Sequence, residues 1–164
     1  MKLIFLLVIC VVISSCSHTY YIVRHAEKLK PAAVDVTSPG NDPALSETGK
    51  MRAEKLKEIL LDKKIKYIFS TNTIRTLTTA KPLSDAIGVN TILYNPGKNA
   101  DFIKQLKTLK KNTLIIGHSN TIDDVVNALC NKTYIRTDIA DSVYDNLFIV
   151  KYRGNRIFFK QLKY

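Results

Sequence analysis

Three cysteines in 164 residues are too few for a disulfide framework, and none sits with histidine at the spacing a zinc site needs, so no metal is expected. Acidic residues are also scarce, 14 against 25 Lys and Arg, for a formal net charge of +11. There is no low-complexity tract and no repeat of solenoid period. Nor is there a helix-turn-helix signature or an aromatic-studded basic strand, so the positive charge does not point to nucleic acid. The longest apolar run that opens the chain, Leu3 to Ile13, has 11 residues and is too short to cross a bilayer. What remains, 46% hydrophobic and 24% charged, is ordinary globular composition, enough for one domain with a sizeable core. Lys55, Lys57, Lys63, Lys64, Lys66, Lys104, Lys107, Lys110 and Lys111 fall largely in amphipathic stretches and read first as solvated helix faces. Their functional readings are attraction to anionic lipid headgroups or steering of an anionic substrate.

The apolar run follows Met1-Lys2 and has the length of a signal-peptide core. Ile13-Ser14-Ser15-Cys16 comes next, an aliphatic and two small residues ahead of a cysteine, and resembles the lipobox of bacterial lipoproteins. That resemblance implies cleavage before Cys16, lipid on its sulfur and a place in the bacterial cell envelope, facing the periplasm or the exterior. A plain secretory peptide or an uncleaved anchor is the alternative. The chain then divides into a signal peptide (1–15), a tether (16–19) with a solvated His18, and a domain (20–164). Cys130, among Val125, Val126, Ala128 and Leu129, reads as a small buried hydrophobe.

From Tyr20 the periodicity alternates. Strands are expected at Tyr20–Val23, Ile65–Phe69, Thr91–Tyr94 and Thr113–Ile116. Helices are expected at Glu47–Leu61, with Met51, Leu56, Ile59 and Leu60 inward, at Ile74–Ile87, with Pro82 kinking or restarting it and Gly88 closing it, at Ala100–Leu109 and at Thr121–Leu129. Leu147–Tyr152 and Ile157–Leu162 flank Gly154-Asn155 as a hairpin. The fold class is α/β: a single domain with a mostly parallel sheet, helices on both faces and a C-terminal antiparallel hairpin.

Ligands in such sheets bind beyond the carboxyl ends of the strands. Three of those ends carry Arg24-His25, Ser70 with Arg75 about one helical turn on, and Gly117-His118. A neutral imidazole can accept a phosphoryl group on its unprotonated nitrogen. Guanidinium groups suit the three equatorial oxygens of a phosphoryl group in transfer. Taken singly, each histidine would more often be structural, Arg75 a surface residue and Arg24 a partner for Glu27. Ser70 and Asn120 read as helix caps. It is the shared placement that argues for a site.

These pieces resemble the histidine phosphatase superfamily, also called phosphoglycerate mutase-like. The likeness rests on Ile22-Val23-Arg24-His25-Ala26-Glu27, on Leu45-Ser46-Glu47-Thr48-Gly49 followed by Ala53, on Ser70, Arg75 and Thr79-Ala80, and on Gly117-His118. It implies that His25 is a nucleophile forming a phosphohistidine, that Arg24, Arg75 and His118 hold the phosphoryl oxygens, and that no cofactor is needed. The substrate would be a small phosphorylated molecule or a phosphoprotein. The chain departs from the family in one respect. Larger members carry a carboxyl group after the third strand or beside the second histidine, whereas here Ser119-Asn120 follows His118. Asp101, Glu27 and Asp42 are the candidate acids, and Lys28 stands where a neutral or small residue often follows the first motif. A phosphatase is therefore the first expectation, and a mutase is disfavoured by location and by the little chain left for a lid. The alternative is a catalytically inactive envelope lipoprotein binding a phosphorylated ligand or partner in the same pocket.

Overall fold

A computed structural model describes residues 17–29 and 42–164. The expected signal segment and Cys16 lie outside the described residues. Strand β1 (Ser17–Arg24) is followed by α1 (Glu47–Leu60), β2 (Tyr67–Ser70), α2 (Ile74–Ile87), β3 (Thr91–Leu93), a short 3-10 turn (Pro96–Lys98), α3 (Asn99–Leu109), β4 (Thr113–Gly117), α4 (Ile122–Cys130), β5 (Asn146–Arg153) and β6 (Arg156–Lys163). One six-stranded sheet runs in the order β3-β2-β4-β1-β5-β6. The first four in that order are mutually parallel, and β5 and β6 add antiparallel to β1.

Both faces are covered, as the apolar strands require. Tyr20, Ile22, Phe69 and Ile115 pack against Phe102, Leu106, Val125, Val126 and Leu129 of α3 and α4. Tyr21, Val23, Ile68, Leu114 and Ile116 pack against Leu56, Leu60, Ala80 and Leu83 of α1 and α2. Cys130 is a buried member of the first cluster, while Ala128 is exposed. Among the described residues no helix is long and apolar enough to cross a membrane.

Three expectations need correction. The strand begins at Ser17, inside the expected tether, and His18 is not solvated: it is 7% exposed and stacks on Tyr152 with ring centroids 5.0 Å apart. The inward face of α1 is Gly49, Ala53, Leu56 and Leu60. Met51 lies off that 3.6-residue stripe and is 66% exposed. Finally, α2 does not restart at Pro82 but runs on through it. It ends as expected at Gly88, in the left-handed conformation with its N–H on the Ser84 carbonyl.

The start of α1 explains the Leu-Ser-x-x-Gly pattern. Ser46 caps the helix by accepting from Gly49 N at 3.1 Å, while its own N–H donates to the Glu27 carbonyl at 2.9 Å. A side chain at Gly49 would put its Cβ 2.2 Å from that same carbonyl oxygen. Glycine at 49 thus lets α1 dock on the segment that leaves β1. Gly49→Ala should therefore cost about 2 kcal/mol or more of unfolding free energy. Gly88→Ala, strained only by its φ of +65° with open space around it, should cost about 1 kcal/mol. Urea unfolding of the two variants checks the order.

Candidate active site

β2, β4 and β1 are neighbours, and their register brings their carboxyl ends level: Arg24 pairs with Gly117, and Ser70 with Ile116. The three polar strand ends therefore meet. The backbone continues the pairing one step further, with His25 N donating to the Gly117 carbonyl at 2.9 Å. A Cβ on Gly117 would meet Tyr94 Oη at 2.7 Å and Ile122 at 2.9 Å, so the residue before His118 has room only for hydrogen.

The two imidazole rings lie 5.5 Å apart, centroid to centroid, at 64°. His25, 3% exposed, places Nδ1 2.8 Å from the carbonyl of Ala26. A carbonyl only accepts, so Nδ1 carries the hydrogen and, in the neutral ring, Nε2 is left with the lone pair. The turn that presents this carbonyl is fixed in turn, since Ala26 N donates to Thr79 Oγ1 at 3.0 Å and Thr79 donates to the Arg75 carbonyl at 2.7 Å. The Thr79-Ala80 pair of the motif thus ties the first turns of α2 to the residue after His25.

His118 has the opposite tautomer. Its Nδ1 lies 3.4 Å from Arg75 Nη2, which can only donate. Its Nε2 therefore donates to Thr71 Oγ1 at 2.8 Å, and Thr71 passes its own hydrogen to Thr76 Oγ1 at 3.1 Å. Both rings stay neutral. Burial first, then Arg24, Arg75 and His118, pushes His25 down to about 3. Burial first, then chiefly Arg75, pushes His118 down to about 4.

Arg24 is buried and Arg75 half-buried. Arg24, 2% exposed, donates Nη1 to the carbonyls of Ala140 and Val143 and Nη2 to Asp141 at 2.8 Å, under the ring of Tyr144 at 4.3 Å. It does not pair with Glu27. Arg75 donates Nη1 to Asp42 at 2.7 Å, and the other oxygen of Asp42 accepts from Ile74 N at the start of α2. In both arginines Nε is buried and has no partner among the described residues. A depression of about 560 Å³ opens beside His118, lined by Thr71, Asn72, Thr73, Tyr94 and Asn95.

Residues 20–96 match the model of the histidine phosphatase superfamily (branch 1), a span that includes Arg24, His25 and Arg75. The segment 20–96 belongs to that superfamily. Solved structures with the same fold include a protein histidine phosphatase SixA complexed with tungstate, 15% identical at a TM-score of 0.63, covering 88% of this chain and 96% of that one. Another is a phosphoserine phosphatase from Entamoeba histolytica in complex with 3-phosphoglyceric acid, 12% identical at 0.66, covering 90% and 97%. A third is a mycobacterial glucosyl-3-phosphoglycerate phosphatase, 12% identical at 0.63, covering 90% and 98%. No curated protein matches in sequence.

The four expected site residues come together at this end of the sheet, but several neighbours differ from expectation. Ser70 does not cap α2: it donates to the Thr71 carbonyl, and Thr73 is the cap. Asn120 is exposed and does not cap α4. Instead Thr121 Oγ1 accepts from His118 N at 3.0 Å. Of the candidate acids, Glu27 is held by Arg52 through Nε and Nη2 at 2.6 to 2.9 Å. Burial alone would raise its carboxyl, but Arg52 outweighs that and holds it below the usual range. Asp101 is exposed in the first turn of α3. Asp42 alone among the three touches the cluster. Thr71, Tyr144 and Asp141 were not foreseen. Thr71 follows a strand end already singled out and was legible there. Tyr144 and Asp141 come from an irregular segment more than 110 positions from Arg24, with no local signal.

Both histidines bind protons less readily when folded than their ordinary value of 6.5. Below that value the unfolded chain takes up more protons, so this contribution to stability is complete above about pH 6.5 and falls as pH drops toward about 3. Denaturant unfolding across this range should show that decline, and His25→Asn should make it shallower.

Proposed function

We propose that the protein is a phosphatase that passes a phosphoryl group through His25 to water. The observation that carries this reading is the hydrogen bond from His25 Nδ1 to the Ala26 carbonyl, which leaves Nε2 unprotonated in a buried ring beside two guanidinium groups. Burial and positive neighbours keep that ring neutral at any physiological pH, so the nucleophile needs no separate base.

The substrate phosphoryl oxygens bind at Arg24, Arg75 and His118. The carboxylate of Asp141, 84% exposed, yields its place on Arg24 to them. An arriving dianion favours the protonated form of His118, which turns Nδ1 from an acceptor into a donor toward a phosphoryl oxygen. Nε2 of His25 then attacks phosphorus, the bond to the leaving group breaks, and its electron pair departs with that group, which is protonated from solvent. Water attacks the phosphohistidine next. The P–N bond breaks, inorganic phosphate leaves and the imidazole returns to its neutral state. Charge is stabilised throughout by fixed donors in a site of low polarity, the main source of rate in phosphoryl transfer.

The fate of the carboxylates bears on substrate choice. Glu27 is committed to Arg52 and Asp42 to Arg75 and the α2 backbone, so no candidate acid is available to protonate a poor leaving group. General acid assistance is worth about a hundredfold or more. Substrates whose leaving group departs readily are favoured, a phosphohistidine or an activated phosphoester before a plain alkyl phosphate. SixA and the phosphoserine phosphatase, acting on such differing groups, share this fold. The same commitment of acids supports the second reading, a lipid-anchored protein that binds a phosphorylated ligand without turning it over.

Turnover of p-nitrophenyl phosphate by the full protein separates the two. The enzyme reading predicts hydrolysis that His25→Ala lowers by about a thousandfold or more, with a folded variant verified by circular dichroism. Phosphate binding without hydrolysis in the unaltered protein contradicts it.

A further inference from the structure

The amino ends of the parallel strands lie opposite the active site and carry a different kind of surface. Residues 61–66 lead into β2, 110–112 into β4, and the β5–β6 turn lies beside the start of β1. In and flanking these three connections Lys64, Lys66, Lys110, Lys111, Arg153 and Arg156 are exposed. The only acid among them, Asp62, is paired with Lys63. These lysines stand in loops, not on helix faces as their spacing suggests. Helices α1 and α3 end here, and their negative dipole ends account for a lysine beside each. No helix end accounts for the arginines at the hairpin turn.

The start of β1 lies within this surface. Ser17 pairs with Arg153, whereas Tyr20 is level with Thr113, and Thr113 with Tyr67. The tip formed by Ser17 and the hairpin turn therefore projects three residues, roughly 10 Å at the rise of a strand, beyond the β2 and β4 ends. Phe158, opposite Lys151 in the register, is 50% exposed on this hairpin. Leu61, in the connection leading to β2, is likewise exposed.

We infer that this end of the sheet rests on an anionic lipid bilayer, with the turn between Arg153 and Arg156 in the headgroup layer and Phe158 at its edge. This rests on the reading of Cys16 as the lipid-bearing residue. Ser17 is the next residue along, so lipid there holds the basic tip at the surface, where anionic headgroups attract it. A consequence for the substrate follows. Arg24 is seven residues further along β1, roughly 23 Å away, and the site opens at the far end of the sheet. The protein acts on phosphorylated molecules that arrive from the aqueous side, and phosphate groups of membrane lipids are out of its reach.

The chain has no tryptophan, so Phe158→Trp introduces a single reporter. The processed, full protein carrying it is reconstituted in phosphatidylglycerol or phosphatidylcholine vesicles containing a quencher attached to the lipid headgroup. Quenching should be about twofold or more stronger in phosphatidylglycerol, and should fall to the phosphatidylcholine level at high salt or with Arg153→Glu/Arg156→Glu. The intact mass of the same sample reports lipid on Cys16 separately. A lipidated protein with equal, weak quenching in both vesicles overturns the docking and leaves the basic tip to a soluble acidic partner. Quenching in phosphatidylglycerol by a chain without lipid upholds the docking and refutes the anchor. Absence of both refutes both.

Discussion

The proposed chemistry depends on one hydrogen bond, from Nδ1 of His25 to the carbonyl of the residue that follows it. It selects the tautomer in which Nε2 can attack, and it orients the ring just beyond the end of β1. Burial and the neighbouring guanidinium groups act in the same direction by keeping the ring uncharged. The Ala26 peptide is held at its N–H by Thr79, and Thr79 is bonded to the carbonyl of Arg75. The proposed nucleophile and Arg75 are thus tied by a single chain of contacts, which explains why a threonine one helical turn beyond Arg75 belongs to the motif.

Arginines drawn out of water are costly unless paired, and the two at this site, Arg24 buried and Arg75 half-buried, are paired in different ways. Asp42 is partly buried and fixed at the head of α2, so it positions Arg75 and stays. Asp141 is exposed, on an irregular segment, and a pair with such a carboxylate contributes little. An oxyanion of higher charge can replace it without leaving Arg24 unpaired, because the carbonyls of Ala140 and Val143 remain. On the proposed mechanism Arg24 therefore exchanges an exposed carboxylate for the phosphoryl oxygens.

Much of this was legible in the sequence. Apolar runs of four or five residues separated by amphipathic stretches gave the parallel sheet, and polar pairs at strand ends gave Arg24, His25, Arg75 and His118. What was not legible has a physical cause in each case. Met51 and the lysines of the 61–66 and 110–112 segments were misread because periodicity in a short window cannot tell a helix face from the connection after it. His18 looked like a tether residue because its burial comes from Tyr152, on the neighbouring strand but 134 positions away. Asp141 and Tyr144 reach the site through an irregular segment that has no periodicity to read.

The account is tested most directly by looking for the phosphoryl group on its acceptor. Rapid quenching of the working enzyme into alkali, where phosphohistidine survives, followed by peptide mass spectrometry, should find the added phosphoryl mass on the imidazole of His25. Turnover with that residue unmodified, or with the label on another side chain, would contradict it.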